Sequence, residues 1–211
     1  MIIKFLLLIR LQHLIEFFKV SNKLNDNNVT KEKEYTSTFQ KTPTKKIAAA
    51  AIFIPVGLVL SYLNPFAYFL IFGTKINPFA HIMNAITGVL IGVVFSCIAA
   101  LGIAILRYSL SIGSIHAFHG GISGALVVGT VAYIIKKKNP KYIALAALTE
   151  PIGTIFIGGT IAYIIAPIGT VIEGLSLYWG LFALSCIPGC IIGFVILGIL
   201  QAAGITWEDF N

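Results

Sequence analysis

Apolar residues run almost unbroken from Ile47 to Leu200, and the breaks between them are short and rich in Gly, Pro, Asn and Lys. Runs of this length predict membrane-spanning helices. Six can be drawn, at 47–63, 79–91, 93–110, 117–135, 142–165 and 178–201. Only the division between the second and third needs an argument. Residues 79–110 carry no charge before Arg107, and one straight helix of that length would run about 48 Å against a hydrocarbon core of ~30 Å. A bend is expected, and Gly92 is the natural place for it.

Within the spans, small or polar residues recur every three or four positions. The second has His81, Asn84, Gly88 and Gly92; the third has Ser96, Ala100 and Ala104, leading to Arg107. Gly57 and Ser61 mark the first, Gly121, Ala125 and Gly129 the fourth. The fifth carries Glu150, Thr154, Gly158 and Ala162, and the sixth Ser185, Gly189 and Gly193. Such stripes let helix backbones approach closely in lipid. Packing explains the glycines and alanines. Polar residues capping the same stripes call for something more, and a compact bundle with a polar pocket at its outer end accounts for both.

The stretch GTKINPFAHIMN, residues 73–84, concentrates this polarity at the mouth of an apolar segment. Proline is tolerated in a first helical turn, so a helix can begin at Pro78. His81 and Asn84 then share a face. Read alone, the stretch is equally a loop with a satisfied interfacial histidine and asparagine.

Residues 1–20 are apolar but carry Lys4, Arg10, Glu16 and Lys19 on scattered faces, and no small-residue cleavage site follows. A loosely membrane-associated helix is expected there, then a polar linker to residue 46. The bundle is assigned to 47–201 and a C-terminal tail to 202–211.

Composition agrees with this division. Of 211 residues 57% are hydrophobic and 11% charged, with mean hydropathy +0.92. Soluble domains carry roughly 25% charged residues, so this is an integral membrane protein; an all-α, multi-pass protein of the cell membrane is expected. The formal charge of +7 does not imply nucleic acid, because basic residues gather in cytoplasmic loops. Lys31, Lys33, Lys41, Lys45 and Lys46 precede the first span, and Lys136, Lys137, Lys138 and Lys141 follow the fourth. Both groups face the cytoplasm only if 79–110 crosses twice. Six crossings with both termini inside are therefore expected, with 64–78, 109–117 and 166–177 outside. Cys97, Cys186 and Cys190 lie in apolar runs without His or carboxylate company and read as small core residues.

Catalytic patterns are missing. There is no G-x-x-x-x-G-K-[ST] phosphate loop, no H-E-x-x-H frame around His116 and His119, and no G-x-S-x-G elbow. The chain reads as a non-enzyme without a metal site or cofactor of its own. Any ATP hydrolysis belongs to another chain. Glu150 lies nine residues beyond Lys141, about 13 Å into the membrane by helical rise. An ionised carboxylate there needs a partner or water. Arg107 is one candidate; a hydrogen bond to a neighbouring helix is the other.

GTKINPFAHIMNAITGVLIG, ILRYSL, IHAFHGGISGALVVG and LTEPIGTIFIGGTIAY with IAPIG occur in this order over about 47–200. In this the chain resembles the ThiW family, substrate-binding S components of energy-coupling factor (ECF) vitamin transporters. The resemblance implies a six-helix S component that captures hydroxyethylthiazole, or a related thiamine precursor, from outside. Release inward would be driven by a partner transmembrane protein and two ATPases. It also implies pocket positions: Lys75, His81, Asn84, Arg107, Phe118, Gly120, Glu150 and Thr154. His119 stands where the family pattern has proline. A flat, small ligand needs an aromatic wall and a few polar groups. Tyr108, Phe118, Tyr178 and Trp179 are candidates for the wall, with His119 beside them. Gly57 and Ser61 are the candidate docking face for the transmembrane partner.

Two other classes fit the same residues. An ion- or proton-coupled secondary transporter could use Glu150, Arg107 and His81 as a relay. A non-transporting assembly protein would use the stripes for packing alone.

Overall fold

The computed structural model describes residues 43–65, 70–71 and 74–210. The membrane-associated helix and most of the linker expected before the bundle lie outside the described residues, and the linker's last residues, Thr44 to Lys46, already belong to the first helix. Apart from one short hairpin, the described elements are helical. They are α1 (Thr44–Tyr62), β1 (Leu70–Ile71), β2 (Thr74–Lys75), α2 (Pro78–Leu90), α3 (Gly92–Ser109), α4 (His116–Lys138), a fifth span α5 (Pro140–Ile165) and α6 (Val171–Ala202). Of these, the five helical spans other than α2 are long and apolar enough to cross a membrane.

The bundle is organised around α2. It has 13 residues, about 20 Å of helix, and every one but Phe79 is buried. It packs against all five other spans. A helix buried all round in lipid gains nothing from a bulky surface, and its neighbours meet it through small residues. A Cβ on Gly88 would stand 2.6 Å from Val128, and one on Gly193 2.6 Å from Ala85. The interior is accordingly rich in alanine, with Ala85, Ala125, Ala146, Ala147 and Ala162 fully buried, while Ile52, Val59, Val94, Ile134 and Ile199 face outward.

The bend between α2 and α3 falls at Gly92, whose φ of +81° is open to glycine and costly for other residues. Thr87 and Ser96 hydrogen-bond across it at 2.9 Å. The hairpin therefore crosses and returns. At its turn, Gly92 shares a cleft with Lys46, Lys136, Ile143 and Trp207. The start of α1, the α2–α3 turn, the end of α4 and the start of α5 thus gather at one basic end. The segment after α6 joins them: Trp207 packs against the core and its ring lies 3.6 Å below Lys136 Nζ. Expected as a tail, it is docked.

The fifth span departs most from expectation. After Asn139, held extended before Pro140 as proline requires, the chain winds as a 3₁₀-helix over Pro140–Thr149, a π-helix over Ile152–Gly158 and an α-helix only over Gly159–Ile165. The change of winding brackets Pro151, which has no N–H for a regular ladder. A 3₁₀ turn rises about 2.0 Å per residue, placing Glu150 about 18 Å beyond Lys141 instead of 13. α6 is also longer than its apolar run suggested. It begins at Val171 within the expected outer loop, because Thr170 and Glu173 form a reciprocal capping box.

Candidate functional site

At the end of the bundle opposite the lysines, the space between α2, α3, α4 and α6 is not filled. It holds about 50 Å³ open to the centre of a water molecule. α2 contributes Ala80, His81 and Asn84; α3 contributes Ala100, Ile103, Ala104 and Arg107. Gly120 and Gly121 come from α4, and Leu181, Phe182 and Ser185 from α6. Lys75, Asn77, Ser114 and His116 complete the mouth. A cavity with polar residues at its mouth is thus present at this end of the bundle.

Asn77 assembles that mouth. Its side chain caps α2 through Ala80 N–H (3.4 Å) and donates to Ser61 Oγ on α1 (2.9 Å), while its own N–H donates to Ser185 Oγ on α6 (2.9 Å). Asn64 donates to the Ile76 carbonyl at 2.7 Å and closes the base of the hairpin segment.

Beneath the cavity lies a buried polar knot. Glu150 has 0% exposure. Its Oε1 accepts from Asn84 Nδ2 at 3.0 Å and from Thr154 Oγ1 at 3.2 Å. An oxygen accepting from both is an acceptor for His81 Nδ1 too, which lies 2.6 Å away. The carboxylate thereby fixes the imidazole with Nδ1–H toward Glu150, and Nε2 is left for the cavity that His81 lines. Asn84 also donates to the Gly121 carbonyl at 3.0 Å, and Thr154 to that of Gly120 at 3.2 Å. Gly124 makes the room, since a Cβ there would come within 2.7 Å of Glu150 Oε1.

His81, Asn84, Glu150 and Thr154, drawn from two spans 66 residues or more apart, thus meet in one network. Arg107 is not Glu150's partner. It lines the cavity separately, at 6% exposure, and its Nε has no hydrogen-bond partner among the described residues. Glu150 is held instead by His81 and Asn84 of α2, both through Oε1, while its Oε2 has no hydrogen-bond partner among the described residues.

The aromatic wall is also different. Tyr108 is 53% exposed and stands edge-on to Phe118. Trp179 donates to Thr160 at 3.3 Å and Tyr178 to the Ala166 carbonyl at 2.7 Å. None of the four lines the cavity. The ring that does is Phe182, with His119 stacked on it at 5.8 Å between centroids. His119 is hydrogen-bonded to His116 at 3.0 Å, and His116 is the member of that pair at the cavity. Phe182 lies one helical turn before Ser185, Gly189 and Gly193 on the inward stripe of α6, and that spacing was the available signal.

Gly57 and Ser61 do not form a docking face. Both are buried, a Cβ on Gly57 would lie 2.4 Å from Ile103 Cδ1, and Ser61 is tied to the Gly57 carbonyl (2.7 Å) and to Asn77. The first-span stripe serves packing inside the bundle.

No curated protein and no solved structure matches the chain. The family comparison does give a match: the profile of thiamine-precursor transporter proteins covers residues 47–203, from the first span through the last. A six-helix membrane bundle of small-residue packing, hollow at one end over a buried polar knot, is the architecture that this match spans, and the chain belongs to the ThiW family of thiamine-precursor transporter proteins.

Proposed function

We propose that this chain is the substrate-capture subunit of an ATP-driven ECF importer in the cell membrane. It takes a thiazole-bearing thiamine precursor, with hydroxyethylthiazole as the form its resemblance implies, into the cavity above His81 and Asn84. A separate transmembrane protein and two ATPases drive release. The observation that carries this is a cavity open at the end opposite the lysines and floored by the His81–Glu150–Asn84 knot. By the positive-inside rule the lysine end is cytoplasmic, so the cavity opens outward. His81 Nε2 can accept from a hydroxyl, donors at the mouth suit a ring nitrogen, and Phe182 suits a flat ring.

The test is binding by purified protein of hydroxyethylthiazole, thiamine, the aminopyrimidine precursor and unrelated vitamins. Hydroxyethylthiazole should bind, and His81→Ala and Asn84→Ala should each weaken it by about 5- to 100-fold with the fold retained. Normal binding by both variants would place the ligand elsewhere. In vesicles the chain alone should bind without accumulating ligand. Concentrative uptake without any ATPase would replace this reading by a secondary transporter, whose specific support is the buried His81–Glu150 pair.

Orientation is tested separately. With Cys97, Cys186 and Cys190 removed, Lys138→Cys should label only from the cytoplasmic side, and labelling from outside would reject the proposed topology.

A further inference from the structure

We infer that the ligand held in this cavity carries an oxyanion, a carboxylate or a phosphate ester, gripped at the mouth by Arg107 with Lys75 beside it. This rests on the importer reading above and narrows its substrate class from a neutral ring alcohol to an anionic ring. Arg107 is at a wall of the cavity yet more than nine-tenths buried, and its Nε finds no acceptor. Buried charges in proteins are ordinarily paired and hydrogen-bonded.

Among the described residues, nothing in the lining supplies the opposite charge. Lys75 and Arg107 are the charged residues there, and no Asp or Glu is among them. Glu150 does not line the cavity; its Oε1 is taken by His81, Asn84 and Thr154, and its Oε2, which has no hydrogen-bond partner among the described residues, is fully buried beneath the lining. The C-terminus of α3 offers Arg107 about half a negative charge, which offsets only part of its own.

The arrangement is built and is not a long side chain reaching for headgroups. After α3 the chain doubles back, with Ser111 at φ 58°, so that the N–H groups of Ile112 and Gly113 both donate to the Arg107 carbonyl, at 3.0 and 2.9 Å. A Cβ on Gly113 would lie 2.9 Å from Arg107 Cβ, so this turn lies directly over the side-chain stem. Lys75 Nζ donates to the Ser111 carbonyl at 2.7 Å, which brings a second cation to the same turn. A guanidinium presents a rigid fork of N–H donors matched to two oxygens of a carboxylate or phosphate. A hydroxyl would satisfy one donor and leave the charge uncompensated.

The experiment measures binding of three compounds to the purified full chain near neutral pH: hydroxyethylthiazole, its phosphate monoester, and the corresponding thiazole acetate. At least one anion should bind about 10- to 100-fold more tightly than the alcohol, the range expected for hydrogen bonds to a charged group. Arg107→Gln should abolish that preference, read as the ratio of anion to alcohol affinity; Lys75→Gln, at the more exposed position, should reduce the same ratio and serves where the Arg107 variant does not fold. Equal or tighter binding of the alcohol than of both anions overturns the inference and leaves the importer reading intact. A preference for an anion that survives both substitutions also overturns it, by placing the anion elsewhere. Binding of none of the three overturns the inference together with the thiazole reading on which it rests.

Discussion

Replacing Glu150 by alanine is expected to destabilise the bundle by about 3–5 kcal/mol, because a fully buried side chain is lost together with its hydrogen bonds. The carboxylate is fully buried and one of its oxygens is shared by His81, Asn84 and Thr154. Alanine would strand His81 Nδ1 and one N–H of Asn84 far from water, while Thr154 keeps the Gly120 carbonyl. Each unsatisfied buried group costs about 1–3 kcal/mol. Glu150→Gln keeps the volume and an acceptor oxygen and should be milder. The comparison is made by thermal unfolding in detergent. In double-mutant cycles, Glu150→Gln with His81→Ala should be strongly non-additive, because the two side chains share one hydrogen bond at 2.6 Å. The cycle with Arg107→Gln should be close to additive. The reverse pattern, or a Glu150→Ala protein that melts like the unaltered chain, would refute the network. Ligand affinity should fall in the same variants, since Glu150 orients the imidazole.

The second large effect comes from a residue with no side chain. Gly189 sits on α6 where a Cβ would lie 2.3 Å from the Pro78 carbonyl oxygen and 2.7 Å from His81 Cβ. A backbone oxygen cannot rotate away, so Gly189→Leu must push α6 from the start of α2, at about 3 kcal/mol, the upper end of ordinary overpacking. The displaced segment carries His81 and the Asn77 cap, so binding should be lost along with stability. Gly180, on the same helix, is exposed with nothing within 4 Å of a Cβ. Gly180→Leu should change the melting temperature little, in keeping with surface substitutions within about 0.5 kcal/mol. Similar melting of the two variants would mean that α6 does not meet α2 as described.

The number and order of the spans, the return at Gly92 and the inward stripes were legible along the chain. Each follows from local physics: hydrocarbon thickness sets span length, and close approach in lipid selects small residues. The meeting of His81 and Asn84 was legible too, because three residues apart on a helix is a local relation. The capping box at Thr170 and Glu173, which lengthens α6, was equally readable as T-x-x-E before an apolar run.

Which distant residues meet was not legible. Glu150 had two candidate partners, and the choice of His81 over Arg107 depended on how α5 rotates against α2 and α4. That rotation is set by a fifth span wound as 3₁₀ and then π around Pro151, which no periodicity announces. The same holds for the cavity wall. Tyr108, Phe118 and Trp179 were all near the right end, but one helical face separates a lining residue from a lipid-facing one. Only the packed bundle turned Phe182 inward and Tyr108 out. Gly57 and Ser61 show the limit most plainly: a small-residue stripe promises a close neighbour, and only the tertiary structure decided that this neighbour is the chain's own α2 and α3.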